Sequence, residues 1–269
     1  MIKIEMLFDR IEELMEDGIC IAFSGGVDST LLLKIASYIN RDNKCKLYAV
    51  TFHTKLHPMN DINISTDLAN EMNVSHEIIE IDEFQNEEIL NNTIDRCYNC
   101  KKFMFQKLVD FAKANDVKNI IDGTNFDDLS TYRPGLKALK ELDIKSPLAE
   151  LGIDKNTVRK WANDLDIKVA NRPSAPCLAT RIPYNTKIDL NLLNRIDICE
   201  NEIKKMGFDV VRLRVHDEIA RIEVKKDDMY RLLENSDRII DLLKSNGFTY
   251  ITIDIEGFRS GSMDVNINS

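Results

Sequence analysis

The stretch Ile19–Thr30, ICIAFSGGVDST, decides the reading of this chain. Five apolar residues run into Ser24, Gly25 and Gly26, and Val27, Asp28, Ser29 and Thr30 then open an apolar, helix-like segment. A strand that ends in such a turn before a helix leaves backbone N–H groups pointing outward. The helix start adds about half a positive charge there. The glycines permit positive φ and the close approach of an anion. Ser24, Ser29 and Thr30 offer hydroxyl donors, and Asp28 can hold Mg²⁺ beside the anion. The plain structural alternative is a tight turn with Asp28 as a helix cap.

Outward from this stretch the pattern alternates. ICIAF, KLYAVTF, HEIIEI and NIIDG read as strands, while STLLLKIASYIN, ISTDLANEMN, KFMFQKLVDFAKAND and TVRKWANDL read as helices. Strands alternating with helices predict an α/β fold with a doubly wound parallel sheet, whose ligands sit beyond the carboxyl ends of the strands. Ser24–Asp28 and Thr51–Thr54 fall at such ends. The Pro-rich segment NRPSAPCLATRIPY interrupts the pattern. It predicts a first domain over 1–175 and a smaller α+β domain over 185–269, joined by a connector carrying Cys177. That second domain reads as a helix, two strand-like runs (DVVRLRVH and IARIEV), a further helical stretch and a last strand, YITIDI.

With 269 residues, 43% hydrophobic and 30% charged, the chain is an ordinary globular one. A net charge of −9 weighs against a long nucleic-acid footprint. No apolar run approaches the roughly 18 residues of a membrane span. The first residues, MIKIEMLFDRIEELMEDG, carry acids throughout an amphipathic period, which predicts a helix and not a signal peptide. A reducing cytoplasm is therefore expected, and metal or catalytic roles for the six cysteines rank above disulfides.

The string SGGVDS resembles the pyrophosphate loop of the ATP pyrophosphatase superfamily, whose members split ATP into AMP and PPi. It lacks the Gly-Lys-Ser/Thr ending of the nucleotide-hydrolysing P-loop. AVTFHT is the matching second-strand end, where that superfamily places adenine, so Thr51 and Phe52 are expected at the nucleotide. Four further stretches, RCYNCK (96–101), DGTNFDDLSTYRPGLKAL (122–139), SPLAELG (146–152) and RPSAPCLATRIPY (172–184), narrow the resemblance. Together with VRLRVH and ARIEV they are similar to the pyridinium-3,5-biscarboxylic acid mononucleotide sulfurtransferases, which act in making the nickel-pincer nucleotide. The resemblance implies an ATP- and Mg²⁺-dependent thiolation of a small-molecule mononucleotide, through an acyl-adenylate, by a homo-oligomer.

Candidate residues follow from these stretches. Asp122, Asn125, Asp127 and Asp128 cluster at a strand end, as nucleotide contacts or as helix caps. Arg133 is a candidate for the nucleotide phosphates or for a surface pair. Arg212 and Arg214 alternate on a strand and share a face, which suits the substrate's phosphate or an exposed charged surface. Thr180 and Arg181 are candidates for the same phosphate, and Glu223 for binding a metal or orienting Arg221. His53, His57, His76 and His216 show no paired metal spacing.

Cys97 and Cys100, at i and i+3, share one face of a helical turn. On spacing alone a zinc site, a redox pair and coincidence stay open, although a closed zinc site needs four ligands and no second pair is present. Three thiolates suit a [4Fe–4S] cluster with one open iron. A cluster-bearing branch of the family matches Cys97, Cys100 and Cys177 as its ligands, which implies sulfide carried on the open iron. In another form of the family a lone cysteine at the Cys177 position gives up its own sulfur and becomes dehydroalanine. The rival readings are a tRNA thiolase, which should carry a basic appended region, an amidating ligase, which needs an ammonia source, and a nucleotide-binding module without turnover.

Overall fold

Strand β1 (Ile19–Ala22) runs through the centre of a sheet, with Ile19, Cys20 and Ile21 fully buried. The computed structural model describes residues 3–42, 44–57, 60–130, 133–172 and 176–264. Helix α1 (Ile4–Met15) precedes β1 and buries Leu7, Ile11, Leu14 and Met15, a stripe of helical period. From β1 the chain enters α2 (Val27–Ile39), β2 (Leu47–Thr54), α3 (Asn60–Glu71) and β3 (Ser75–Ile81). It continues through α4 (Glu87–Leu90), α5 (Arg96–Ala114), β4 (Asn119–Ile121), α6 (Gly135–Glu141), α7 (Pro147–Glu150) and α8 (Lys155–Asp164).

The four strands pair in parallel in the order β3-β2-β1-β4. Both faces are covered, as a parallel sheet requires. Ile19, Ile21, Leu47 and Ala49 point into a core with α1, α2 and α8, while Cys20, Val50 and Ile120 point into another that includes Phe105, Leu108 and Ala112 of α5. Because β2 and β4 flank β1 on opposite sides, the strand order reverses at its carboxyl end, where such sheets open a crevice. The α/β reading of the sequence holds.

After α8 come α9 (Leu190–Lys205), β5 (Val211–His216), β6 (Ile219–Val224), α10 (Met229–Glu234), α11 (Ser236–Ser245) and β7 (Tyr250–Ile253). Strands β5 and β6 pair antiparallel, and β6 and β7 parallel. The chain divides into two compact units. The first holds Met1–Lys55, Met59–Glu83 and Cys97–Ser174; the second holds Leu56–Pro58, Phe84–Arg96 and Ala175–Ser269. Backbone bonds explain why the inserted segment joins the later residues: Ile188 N donates to Leu90 O at 2.8 Å and Asn185 N to Asn92 O at 2.9 Å. Of the connector stretch, residues 173–175 lie outside the described residues.

Candidate functional site

In the first unit, the turn after β1 is held by its own side chains. Gly25 has φ +66°, the left-handed region that glycine enters without a Cβ penalty, and a Cβ there would lie 3.3 Å from Ser65 N. Gly26 is extended and caps α2. Ser29 Oγ and Thr30 Oγ1 donate to Gly26 O at 3.2 and 2.8 Å, while Ser24 N donates to Ser29 Oγ at 3.3 Å and Gly26 N to Ser24 Oγ at 3.4 Å. The hydroxyls of Ser29 and Thr30, expected as donors to an anion, thus brace the loop from inside. The first amides of α2 have no acceptor within the helix. With Val27 buried beneath, they form the opening of the loop.

Asp28 stands in the first turn of α2. Its Oδ1 accepts from Asn125 Nδ2 at 3.2 Å, and its Oδ2 pairs with Lys155 Nζ. Asn125 in turn caps its own loop, its Oδ1 accepting from Asp127 N at 3.1 Å and Asp128 N at 3.4 Å. Asp127 Oδ2 accepts from Lys155 N at 2.9 Å, so β4's loop and the start of α8 are tied on both sides of Asp28. Gly123 makes this approach possible. A Cβ on it would sit 2.9 Å from Ser29 N and 3.1 Å from Asp28 Cβ. The buried Asp122 accepts from Ser146 Oγ and Thr124 Oγ1, both at 2.6 Å, and from Lys101 Nζ at 3.3 Å. Arg133 is exposed and pairs with Asp128 at 2.7 Å. Lys155 and Gly123 are among the participants the sequence reading missed. A lysine at the first position of a helix opposes the helix dipole, and that local conflict was the available signal.

At the end of β2, Thr51 Oγ1 donates to Phe23 O at 2.6 Å and meets His76 Nε2 at 2.8 Å. The hydroxyl has one proton, so His76 Nε2–H is the donor in the second contact. Burial lowers the His76 pKa, favouring the neutral ring. Phe52 packs on Phe105 with centroids 5.4 Å apart.

A single carboxylate, completed by the phosphate oxygens of a bound nucleotide, is a usual environment for Mg²⁺, and Asp28 can supply it once Oδ2 gives up its pairing with Lys155 Nζ. Cys97 and Cys100 occupy the first turn of α5, half-buried and buried respectively, while Cys177 belongs to the second unit. Among the described residues no group of three or more His, Cys, Asp or Glu side chains is placed to hold a metal ion. Cys20 and Cys199 are core residues whose thiols burial pushes up to about 12.

The second unit gathers arginines around two buried glutamates. Arg181 chelates Glu200 through Nε and Nη2 at 2.8 and 2.9 Å, and both side chains are fully buried. Burial pushes the Glu200 pKa up, but the hydrogen bonds and charge of Arg181 outweigh it, leaving the carboxyl below its ordinary value. Glu223 accepts from Arg214 at 3.1 Å, Arg221 at 3.2 Å and Ser262 at 2.7 Å. Arg212 lies over the Phe258 ring at 5.3 Å, and burial, reinforced by Arg181, lowers its pKa to about 10. Thr180 Oγ1 donates to Cys177 O at 2.8 Å and accepts from Arg181 at 2.9 Å.

A glycine turn between a central parallel strand and a helix, with a carboxylate at the helix start and a second carboxyl-edge loop against it, defines an ATP-utilising enzyme of the PP-loop class. The PP-loop domain family model matches residues 2–130. The chain is 35% identical over 247 residues, 91% of its length and 88% of the relative's, to the pyridinium-3,5-bisthiocarboxylic acid mononucleotide synthase of Lactiplantibacillus plantarum. It is also 33% identical over 266 residues to an uncharacterized Synechocystis protein (96% and 98% of the two chains). A Methanocaldococcus jannaschii protein, likewise uncharacterized, is 32% identical over 249 residues (93% and 94%). The protein belongs to the family of the pyridinium-3,5-bisthiocarboxylic acid mononucleotide synthases. No helix among the described residues is long and apolar enough to cross a membrane.

Proposed function

We propose that this protein is an ATP-dependent sulfurtransferase that turns the carboxylates of pyridinium-3,5-biscarboxylic acid mononucleotide into thiocarboxylates. The similarity to the Lactiplantibacillus synthase over nine-tenths of the chain carries the reading. A carboxylate has no usable leaving group. Attack of its oxygen on the α-phosphorus of ATP breaks the bond to the β-phosphate, releases PPi and forms an acyl-adenylate. A sulfur nucleophile then adds to the acyl carbon, and AMP leaves with the bonding electron pair. Ser24, Gly25, Gly26, Val27 and Ser29 shape the loop that receives the departing pyrophosphate, where preorganised N–H dipoles favour the charge that develops. Asp28 would hold Mg²⁺, which supplies countercharge to the phosphates. Asn125, Asp127 and Arg133 order the loop beside it, and Thr51 and Phe52 line the end of β2 for the adenine.

Arg212 is assigned to the substrate's phosphate, while Arg214 on the same strand face is held, with Arg221, by Glu223. Sulfur reaches the acyl carbon by way of Cys177. One route has its Sγ form a thioester, after which loss of the Cα proton expels the thiocarboxylate and leaves dehydroalanine. The other has Cys97, Cys100 and Cys177 hold a [4Fe–4S] cluster, which would supply an open iron for sulfide. We also place the protein in the cytoplasm as a homo-oligomer. PPi release from ATP tests the first half: release with the carboxylated mononucleotide is expected, whereas release with tRNA alone would overturn it. Iron content after anaerobic reconstitution, set against loss of the mass of H₂S from Cys177 after turnover, separates the two sulfur routes.

A further inference from the structure

The turn carrying Cys177 is a four-residue 3₁₀ helix, Leu178–Arg181, with Cys177 at its N-cap. So short a helix has poor internal hydrogen-bond geometry and little rigidity of its own. Here carbonyl groups within residues 176–180 are held by arginine side chains. Arg181 Nη1 donates to Pro176 O at 3.2 Å and to Cys177 O at 3.3 Å. Arg96 Nη1 donates to Ala179 O at 3.1 Å, and Arg214 Nη1 to Thr180 O at 2.9 Å. The Cys177 carbonyl also accepts from Thr180 N at 3.1 Å and Thr180 Oγ1 at 2.8 Å.

Each guanidinium is fixed in turn by a side chain behind it: Arg96 by Asn92 Oδ1, Arg181 by the fork on Glu200, and Arg214 by Glu223 at 3.1 Å. A planar guanidinium suits this double duty, since one edge can chelate a carboxylate while the remaining nitrogen reaches the backbone. All of these residues lie within the second unit.

We infer that Arg96, Arg181 and Arg214 clamp the turn that carries Cys177, and that Arg181 and Thr180 are positioning residues for its thiol, not ligands of the substrate phosphate. Arg181 is only 2% exposed, and its Nε and both terminal nitrogens already donate to protein oxygens. A phosphate could reach it only by opening a buried ion pair. A thiol that must meet an acyl carbon needs a fixed approach, and the clamp supplies one. The inference rests on the reading that Cys177 takes part in sulfur transfer.

The test uses the full chain with Arg181→Lys, which keeps the charge and loses the fork, and with the milder Thr180→Val, which removes one bond to Cys177 O. Three quantities are followed with ATP and the carboxylated mononucleotide: PPi release, thiolated product, and alkylation of Cys177 by iodoacetamide, with Cys97 as internal reference. The clamp requires PPi release and the KM for the mononucleotide to stay close to wild type. Product per PPi should fall by up to about 100-fold, the cost of a small misplacement of a reacting group. Cys177 should alkylate faster relative to Cys97.

A raised KM with lost PPi release and unchanged alkylation would make Arg181 and Thr180 phosphate ligands and overturn the inference. So would a parallel fall of every activity together with melting temperature in both variants. If the wild type forms no thiolated product, the sulfurtransferase reading fails, while the alkylation comparison still decides whether the clamp exists.

Discussion

Gly123 should be the most sensitive glycine of the nucleotide site. A Cβ built on it lies 2.9 Å from Ser29 N and 3.1 Å from Asp28 Cβ, both on the first turn of α2. Neither contact is the far end of a flexible side chain. Gly123→Ala must therefore push β4's loop and the phosphate loop apart by about half an ångström, and overpacking of this kind costs about 1–3 kcal/mol. The same shift moves Asp28 away from Asn125 and Lys155, so ATP binding should weaken by more than the stability loss alone accounts for. A loss of about 1.4 kcal/mol there is tenfold in affinity.

Gly26→Ala provides the control for stability. A Cβ at Gly26 meets only Ser24 Oγ, at 3.3 Å, and its φ of −81° suits any residue. Urea unfolding gives the stabilities, and calorimetric titration with ATP gives the affinities. If Gly123→Ala unfolds at the wild-type urea midpoint and binds ATP with wild-type affinity, the close approach of the two loops does not exist in solution.

Asp28→Asn should keep the fold and abolish most PPi release; release at the wild-type rate would refute the loop assignment. Arg212→Ala should weaken the mononucleotide by about 1.5–3 kcal/mol while leaving ATP binding nearly unchanged, since a charge-assisted pair is lost; equal loss for both ligands would count against its assignment. Glu200→Gln breaks the buried pair with Arg181 and should cost about 3–5 kcal/mol in urea unfolding at neutral pH. Because Glu200 is held below its ordinary value of 4.5, that stabilisation is complete above pH 4.5 and is lost as the pH falls through the folded value. The gap between wild type and variant should therefore narrow only on acidification. Thr51→Val should destabilise by about 1–3 kcal/mol by leaving Phe23 O without its donor, measured by the same unfolding.

Much of the first unit could be read from local pattern. Apolar runs such as ICIAF and KLYAVTF gave the strands because a parallel strand is buried on both faces. The glycine pair before Val27 marked the turn because few other residues can make it. What escaped were contacts distant in sequence. Lys155 meets Asp28 across 127 residues, and nothing near Lys155 names its partner. The engagement of Arg181 with Glu200 likewise depends on how α9 packs, which no local pattern states. The four-residue helix α4 was missed for a different reason, being shorter than two turns and so carrying no periodicity.

The inserted segment 84–96 has a consequence for synthesis. Arg96 finds its acceptor Ala179 O only after 83 further residues have been added. At ribosomal speeds of about 5–20 residues per second, that is a wait of about 4–17 s. During this interval Leu90, Asn92 and Arg96 have been synthesised without the backbone they later bind. The nascent chain thus carries a half-built second unit inside the sequence of the first, and only the arrival of residues 179–188 can close it. A ribosome stall placed between Ala114 and Ala179 would hold the chain in that open state.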